Sequence, residues 1–250
     1  MAPGPGHPDG ESLEAARRRV LDRIAAACRR VGRAPNSVVL VAVSKTVATD
    51  RLRQAVAAGL TRLGENRVQE ALGKASAIPE ATWELVGPLQ ANKARPALST
   101  FARIQTLDSV ALARRLDRLA GEVHPGRPYP VLLQVNVDRD PAKAGFQPAD
   151  LERAMPELVD APNLVIEGLM TVGRLAPTAD EARPTFLALR ALSERLRDRW
   201  PALGHELSMG MSDDFEAAIE EGATIVRVGR ALFGQRPTPP APIGSPTSGQ

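Results

Sequence analysis

Eight short apolar runs, most of them followed by a stretch with helical spacing, constrain this chain more than any other feature. The runs fall at 38–44, 62–66, 83–87, 103–108, 130–137, 165–171, 206–210 and 224–229, with helical segments near 49–59, after 66, from Asn92, at 109–121 and at 148–159. Strands that alternate with helices imply a parallel sheet, because parallel neighbours need a long crossover between them. One further helix begins near Ser12 with Leu13, Ala16, Val20, Ile24 and Cys28 on one face, and it stops at Gly32 before Pro35. Eight units behind one front helix match an α/β fold of the single (β/α)8 TIM barrel type better than an open sheet. No run is followed by Gly-x-Gly-x-x-Gly, so a dinucleotide fingerprint is missing.

At 250 residues and 43% apolar composition the chain can bury one sizeable core, and nothing in it requires a second domain. The expected division is a disordered tail at 1–10, a barrel domain at 11–236 and a second disordered tail, rich in Pro, Ser and Gly, at 237–250. Cys28 is the one cysteine, which excludes an internal disulfide framework and a cysteine-built zinc site; no metal site is expected. No apolar run approaches the roughly 20 residues of a membrane span, and no basic region followed by an apolar stretch marks a secretory signal. A cytoplasmic protein without membrane contact is expected. The net charge of +3 comes from arginines scattered among nearly as many acids, and aromatics are only 3% of residues, so a nucleic-acid partner is not expected.

Barrel sites sit where strands end and loops begin. The polar residues at run ends are therefore the candidates: Lys45, Asn66, Gln90, Asp108, Asn136, Thr171 and the turns at 208–212 and 229–231. Lys45 is one of only four lysines beside 28 arginines. Arginine cannot lose its proton and attack a carbonyl, whereas a lysine in a dry pocket can form a Schiff base. Lys74 and Lys93 fall in helical segments and Lys143 in a loop. Read alone, Lys45 is also a solvated charge capping a strand.

The loops after strands seven and eight commonly hold a phosphate in this fold. Here they read Ser208-Met209-Gly210-Met211-Ser212, followed by Asp213-Asp214, and Gly229-Arg230-Ala231. Gly210 and Gly229 either let the backbone approach an anion or simply make tight turns. An amine across the mouth from phosphate donors describes a ligand with an aldehyde at one end and a phosphate at the other, and pyridoxal 5′-phosphate fits. Arg227, two residues before Gly229 and on the same side of the pleat, either reaches the pyridine nitrogen or forms an ion pair inside the barrel. An arginine at that nitrogen keeps it unprotonated and weakens the ring as an electron sink.

Six stretches then carry a resemblance: Ala42-Val43-Ser44-Lys45, Gly64-Glu65-Asn66-Arg67-Val68-Gln69-Glu70, Gly87-Pro88-Leu89-Gln90-Ala91-Asn92-Lys93, Gly168-Leu169-Met170, Ser208 to Asp214, and Val226-Arg227-Val228-Gly229 with Phe233-Gly234. Over roughly residues 12–236 the sequence resembles the pyridoxal phosphate homeostasis protein family, single-domain relatives of the fold type III, N-terminal barrel of alanine racemase. The resemblance implies a covalent aldimine between Lys45 and the cofactor, with Asn66 beside it and Arg227 at the pyridine nitrogen. It implies a phosphate region of Ser208, Gly210, Ser212 and Gly229. It also implies buffering or delivery of the cofactor, with apo-enzymes that use it as recipients. Three positions depart from the family's pattern: Glu84 where histidine is frequent, Arg230 where a small hydroxyl residue is frequent, and Lys143 set between Ala142 and Ala144.

Racemase relatives need two bases on opposite faces of the substrate carbon, one being the cofactor lysine and the other a tyrosine on a separate C-terminal domain. The single Tyr129 precedes strand five, at the end of the barrel opposite the expected site. His7 lies in the expected tail, His124 in a Pro/Gly loop and His205 at the start of strand seven. The expectation is a binding protein without robust turnover of its own. A racemase-like enzyme, or a cofactor-free Schiff-base aldolase acting on a sugar phosphate through Lys45, stay as alternatives.

Overall fold

The structure, a computed structural model, describes residues 11–173 and 178–234. The tails expected at 1–10 and 237–250 lie outside the described residues. Eight strands, β1 (Val39–Val43), β2 (Arg62–Glu65), β3 (Thr82–Leu85), β4 (Arg103–Leu107), β5 (Tyr129–Gln134), β6 (Leu164–Met170), β7 (Glu206–Ser208) and β8 (Ile225–Val228), close into a parallel barrel in chain order. The helices are α1 (Leu13–Arg30), α2 (Thr49–Ala57), α3 (Val68–Ala77), α4 (Ala94–Thr100), α5 (Val110–Val123), α6 (Pro148–Val159), α7 (Ala179–Arg199), α8 (Phe215–Glu220) and α9 (Arg230–Phe233). All eight expected strands are present.

Closure brings the first strand beside the last: Ala42 on β1 lies opposite Leu63 on β2 and opposite Val228 on β8. The pleat sorts side chains into two layers. Outward residues such as Ala42, Leu63, Leu85, Ile104, Leu133, Leu169 and Val226 join the helices in the main core. Val39, Val41, Val43, Val86, Leu132, Met170, Val172 and Ile225 form a smaller apolar cluster inside the barrel. The alternation along β1 places Val39, Val41 and Val43 inward, ahead of the turn that carries Lys45.

β5 ends furthest short of its apolar run. β5 stops at Gln134, and Val135 instead pairs with Phe146 on the loop that returns to α6. Asn136 holds that loop: its Nδ2 donates to the carbonyls of Asp140 (2.7 Å) and Lys143 (3.1 Å), while its Oδ1 accepts from the Asp140 N–H. Tyr129 opens β5 rather than preceding it.

Ser12 caps α1, its hydroxyl accepting from the Ala15 N–H. The apolar face of α1 buries Ala16, Val20, Ile24, Ala27 and Cys28 as the spacing predicts. Its polar flank reaches the far end of the chain. Arg23 pairs with Glu216 (2.7 Å) and lies 4.5 Å from the Phe215 ring centroid, Arg30 pairs with Glu220 (2.6 Å), and Arg19 donates to the Ala231 carbonyl (2.9 Å). The front helix thus braces α8 and α9, the elements behind the loops after β7 and β8.

Candidate functional site

Lys45 lies just past the end of β1, half-buried, in a turn whose next residue, Thr46, has φ +67°. A non-glycine residue there needs its surroundings to hold it. The hold is electrostatic. Lys74 on α3 donates its ammonium to the Ser44 carbonyl (2.9 Å), to Glu65 Oε1 (2.7 Å) and to Glu70 Oε1 (2.6 Å), and Glu70 Oε1 accepts the Thr46 N–H (2.7 Å). The Ser44 hydroxyl donates to Glu65 Oε1 (2.7 Å), and the Thr46 hydroxyl donates to the Lys45 carbonyl (2.5 Å). The backbone on both sides of Lys45 is therefore fixed by one buried ion cluster.

Burial pushes the Glu65 carboxyl up, since Oε2 is enclosed without a hydrogen-bond partner, while Lys74 and Ser44 pull the other way. Burial also acts on Glu70, but Lys74 and the Thr46 N–H outweigh it and hold that carboxyl below its usual range. Lys74 stands apart from Lys45 in function: it is a structural cation, buried with Val68 and Ala71 on the sheet-facing side of α3. That spacing of three residues is a readable signal for its burial.

Asn66 follows β2, half-buried, and its place is set by Gly87. A Cβ on Gly87 would lie 2.4 Å from the Asn66 carbonyl oxygen, so the end of β3 can approach only as glycine. A cavity of about 460 Å³ opens here, walled by Asn66, Arg67, Gln69, Pro88, Gln90 and Lys93. Asp108 stands at the end of β4, where burial pushes its carboxyl up against the pull of the Ser109 hydroxyl. The Thr171 hydroxyl is used inside the wall, donating to the Val135 carbonyl (2.8 Å).

Arg227 lies on the inward face of β8, buried among strand residues. Its Nη1 donates to the Ser208 hydroxyl (2.7 Å) and its Nη2 to the Thr171 carbonyl (2.8 Å), two of the five N–H donors a guanidinium carries. Burial lowers its pKa to about 10, with the Asp214 charge opposing, so it stays a cation at neutral pH. The ion pair considered for it inside the barrel is not what it forms; both acceptors are neutral.

The loops after β7 and β8 meet through Ser212. Its Oγ accepts the N–H groups of Gly229 and Ala231, both at 3.3 Å. These long bonds leave two backbone donors aimed at one oxygen, the arrangement that an anion's oxygen would satisfy better. A Cβ on Gly229 would sit 3.3 Å from the Val43 carbonyl oxygen, a tight fit at the seam between β1 and β8. Gly210 has a separate reason to be glycine: its φ is +90°, and a Cβ would lie 2.6 Å from Ala218 Cβ and 2.9 Å from Phe215 Cα. Tight packing on α8 explains it without any ligand.

Ser208, expected in the phosphate region, is engaged elsewhere. The Ser208 hydroxyl, fully buried, donates to Gln105 Oε1 (2.6 Å) and accepts from Arg227, so its proton belongs to the barrel interior. Arg230, which follows Gly229, ion-pairs with Asp213 at the surface. Asp214 fixes that loop from within by accepting the Met211 N–H (2.6 Å).

Of the groups weighed as a second base, His7 lies outside the described residues, and Tyr129, His124 and His205 lie away from this mouth. The Tyr129 hydroxyl donates to the Phe101 carbonyl (2.6 Å), its ring stacks on His124, and burial raises its pKa far above the usual phenol value. His124 contacts the Leu98 carbonyl (2.9 Å), and His205 contacts Arg197. Among the described residues no helix is long and apolar enough to cross a membrane, and no group of three or more His, Cys, Asp or Glu is placed to hold a metal ion.

Comparison with known proteins meets this geometry. Residues 20–237 match the alanine racemase N-terminal domain family. The pyridoxal phosphate homeostasis protein of Pseudomonas aeruginosa is 43% identical over 220 residues, covering 87% of this chain and 93% of its own length. That of Aquifex aeolicus is 40% identical over 220 residues, covering 87% and 96%. Among solved structures, PipY of Synechococcus elongatus with PLP bound is 44% identical with a TM-score of 0.76, over 86% of this chain and 100% of its own. Alanine racemase of Clostridium difficile shares the fold at 16% identity and a TM-score of 0.69, over 88% of this chain and 57% of its own. With identity of this order along nearly the whole barrel, the chain belongs to the pyridoxal phosphate homeostasis proteins of the alanine racemase N-terminal domain family.

Proposed function

We propose that this chain binds pyridoxal 5′-phosphate at the mouth of the barrel and buffers it or hands it on to apo-enzymes that need it, without robust chemistry of its own. One observation supports the reading: β1, which Lys45 follows, pairs in parallel with β8, which carries Arg227 and leads into Gly229, whose N–H shares the Ser212 hydroxyl oxygen with that of Ala231. The donor set fits the cofactor. Bound there, pyridoxal phosphate supplies an aldehyde that an amine captures reversibly.

The chain's own residues supply the rest. Lys45 is the amine, its backbone pinned by the Lys74 cluster. Gly229, Ala231 and Ser212 receive the phosphate, and the Ser212 hydroxyl still has its own hydrogen to give once an anion takes its place. Arg227 faces the ring nitrogen and Asn66 lies beside the ring. Gly210 shapes the loop, and Ser208 acts from behind by holding Arg227. An arginine at the ring nitrogen and the remote placement of Tyr129, His124 and His205 favour holding over turnover.

The relatives named for pyridoxal phosphate homeostasis, and PipY with PLP bound, support the same reading. The purified protein should be yellow and should reactivate an apo-enzyme when mixed with it. A colourless protein that takes up no added cofactor would reject the reading. The enzyme alternative has one observation in its favour, the raised carboxyl of Asp108 at the mouth. Racemisation of L-alanine at ordinary enzyme rates, roughly 1 s⁻¹ or more, abolished by Asp108→Asn, would establish it.

A further inference from the structure

The barrel interior is polar along one continuous line. Arg62 Nη1 donates to Glu84 Oε1 (2.6 Å), Gln105 Nε2 donates to Glu84 Oε2 (2.6 Å), Ser208 Oγ donates to Gln105 Oε1 (2.6 Å), and Arg227 Nη1 donates to Ser208 Oγ (2.7 Å). Glu84, Gln105 and Ser208 are fully buried, and only Arg62, at the start of β2, is open to solvent, with 37% of its side chain exposed. Barrels of this kind usually fill the same space with branched apolar side chains. A buried carboxylate and a buried guanidinium at the two ends of such a line are destabilising unless every intermediate group is satisfied.

We propose that Glu84 is a positioning residue for Arg227, acting through Gln105 and Ser208, and so for whatever ring atom Arg227 meets. Each hydrogen bond along the line dictates the next. A carboxylate only accepts, so Gln105 must turn its NH2 toward Glu84 and its carbonyl toward Ser208. That carbonyl also only accepts, so the Ser208 hydroxyl must give it its hydrogen. Ser208 can then offer Arg227 nothing but a lone pair, which is what Nη1 requires. Without the charge on Glu84 the amide can flip, the hydroxyl can turn, and Nη1 faces a competing donor. Arg227 would lose one of its two anchors; the other, at Thr171, and the field of Asp214 do not depend on Glu84.

The inference rests on the reading that Arg227 meets the cofactor ring, and the test separates the two. Glu84→Gln, Ser208→Ala and Arg227→Gln are each loaded with pyridoxal phosphate. The visible band is titrated with pH, affinity is measured by dilution, and folding is checked by circular dichroism and urea unfolding. Arg227→Gln is expected to move the midpoint of the titration. Glu84→Gln and Ser208→Ala are expected to move it in the same direction by about half a unit, the scale of one weakened hydrogen bond. Should Glu84→Gln not fold, Ser208→Ala, which deletes only a hydroxyl, carries the test. Folded Glu84→Gln and Ser208→Ala proteins with the starting midpoint, beside an Arg227→Gln protein that shifts, would overturn the role of Glu84 and leave the Arg227 reading standing. An Arg227→Gln protein with an unmoved midpoint would remove that reading and this inference with it.

Discussion

At the end of β1 the backbone around Lys45 is gripped by charged side chains, whereas after β8 the N–H groups of Gly229 and Ala231 are met by one hydroxyl oxygen at 3.3 Å. The first corner is hard to disturb, because moving any member of Lys74, Glu65 and Glu70 strands a charge in a poorly solvated place. The second is easy to disturb, because a stronger acceptor can replace Ser212 without loss. The comparison teaches that one barrel mouth can hold a rigid corner and a yielding one; in the proposed reading the first captures the aldehyde and the second receives the anion.

The sharpest break of that comparison is Lys45→Ala. It should abolish the visible band and the borohydride-trapped cofactor adduct, read by absorbance and intact mass. Trapping that persists on another lysine would move the capture point away from β1. Next in size is Lys74→Met, which leaves Glu65 and Glu70 without their shared cation and should cost about 3 kcal/mol in urea unfolding. Adding Glu65→Leu should recover part of that loss, since the two changes act on one cluster and are not additive. An unchanged unfolding midpoint in Lys74→Met would make the first corner no firmer than the second.

A smaller effect is expected at the yielding corner. Gly229→Val should weaken pyridoxal phosphate binding by about 2 kcal/mol, on the order of thirtyfold, with Gly229→Ala milder because its single methyl meets the Val43 carbonyl at 3.3 Å and adds no branch beyond it. Pyridoxal lacking the phosphate should bind far more weakly than the phosphorylated form, and equal affinities in a titration would dismiss the anion seat. The smallest change comes from Tyr129→Phe, at neither corner. Burial favours the neutral phenol in the folded protein, so the contribution of Tyr129 is complete below the unfolded value of 10.0 and is lost as pH rises beyond it. The variant should flatten the alkaline fall in stability, cost about 1 kcal/mol at neutral pH for the lost bond to Phe101, and leave cofactor affinity unchanged.

What the sequence discloses of this architecture follows range of interaction. The strands are legible because each is a run of adjacent apolar residues, and Lys45 is legible because it ends the first of them. The far end of β5 is not, because Val135, apolar like its predecessors, pairs with Phe146 on its own loop, a choice that no local pattern records. The burial of Lys74 is legible in its spacing from Val68 and Ala71, and Glu70 stands one helical turn before it, but its partners Glu65 on β2 and the carbonyl of Ser44 are beyond the reach of helical spacing. Ser208 takes its expected role from its neighbours in the motif, but its side chain answers to Gln105 and Arg227. Which atom a hydroxyl or a guanidinium faces is decided by the fold, not by its flanking residues.

The brace formed by α1 bears on the order in which the chain can become competent. Arg19 reaches the Ala231 carbonyl across 212 positions of sequence, and Arg23 reaches Glu216 across 193. Closing so long a span is slow in proportion to the chain entropy it removes, and during synthesis it must wait until the last strand has been made. A nascent chain therefore carries Lys45 long before the loops after β7 and β8, the proposed phosphate seat, have been made. Affinity for the intact cofactor arrives only when the two ends of the polypeptide meet.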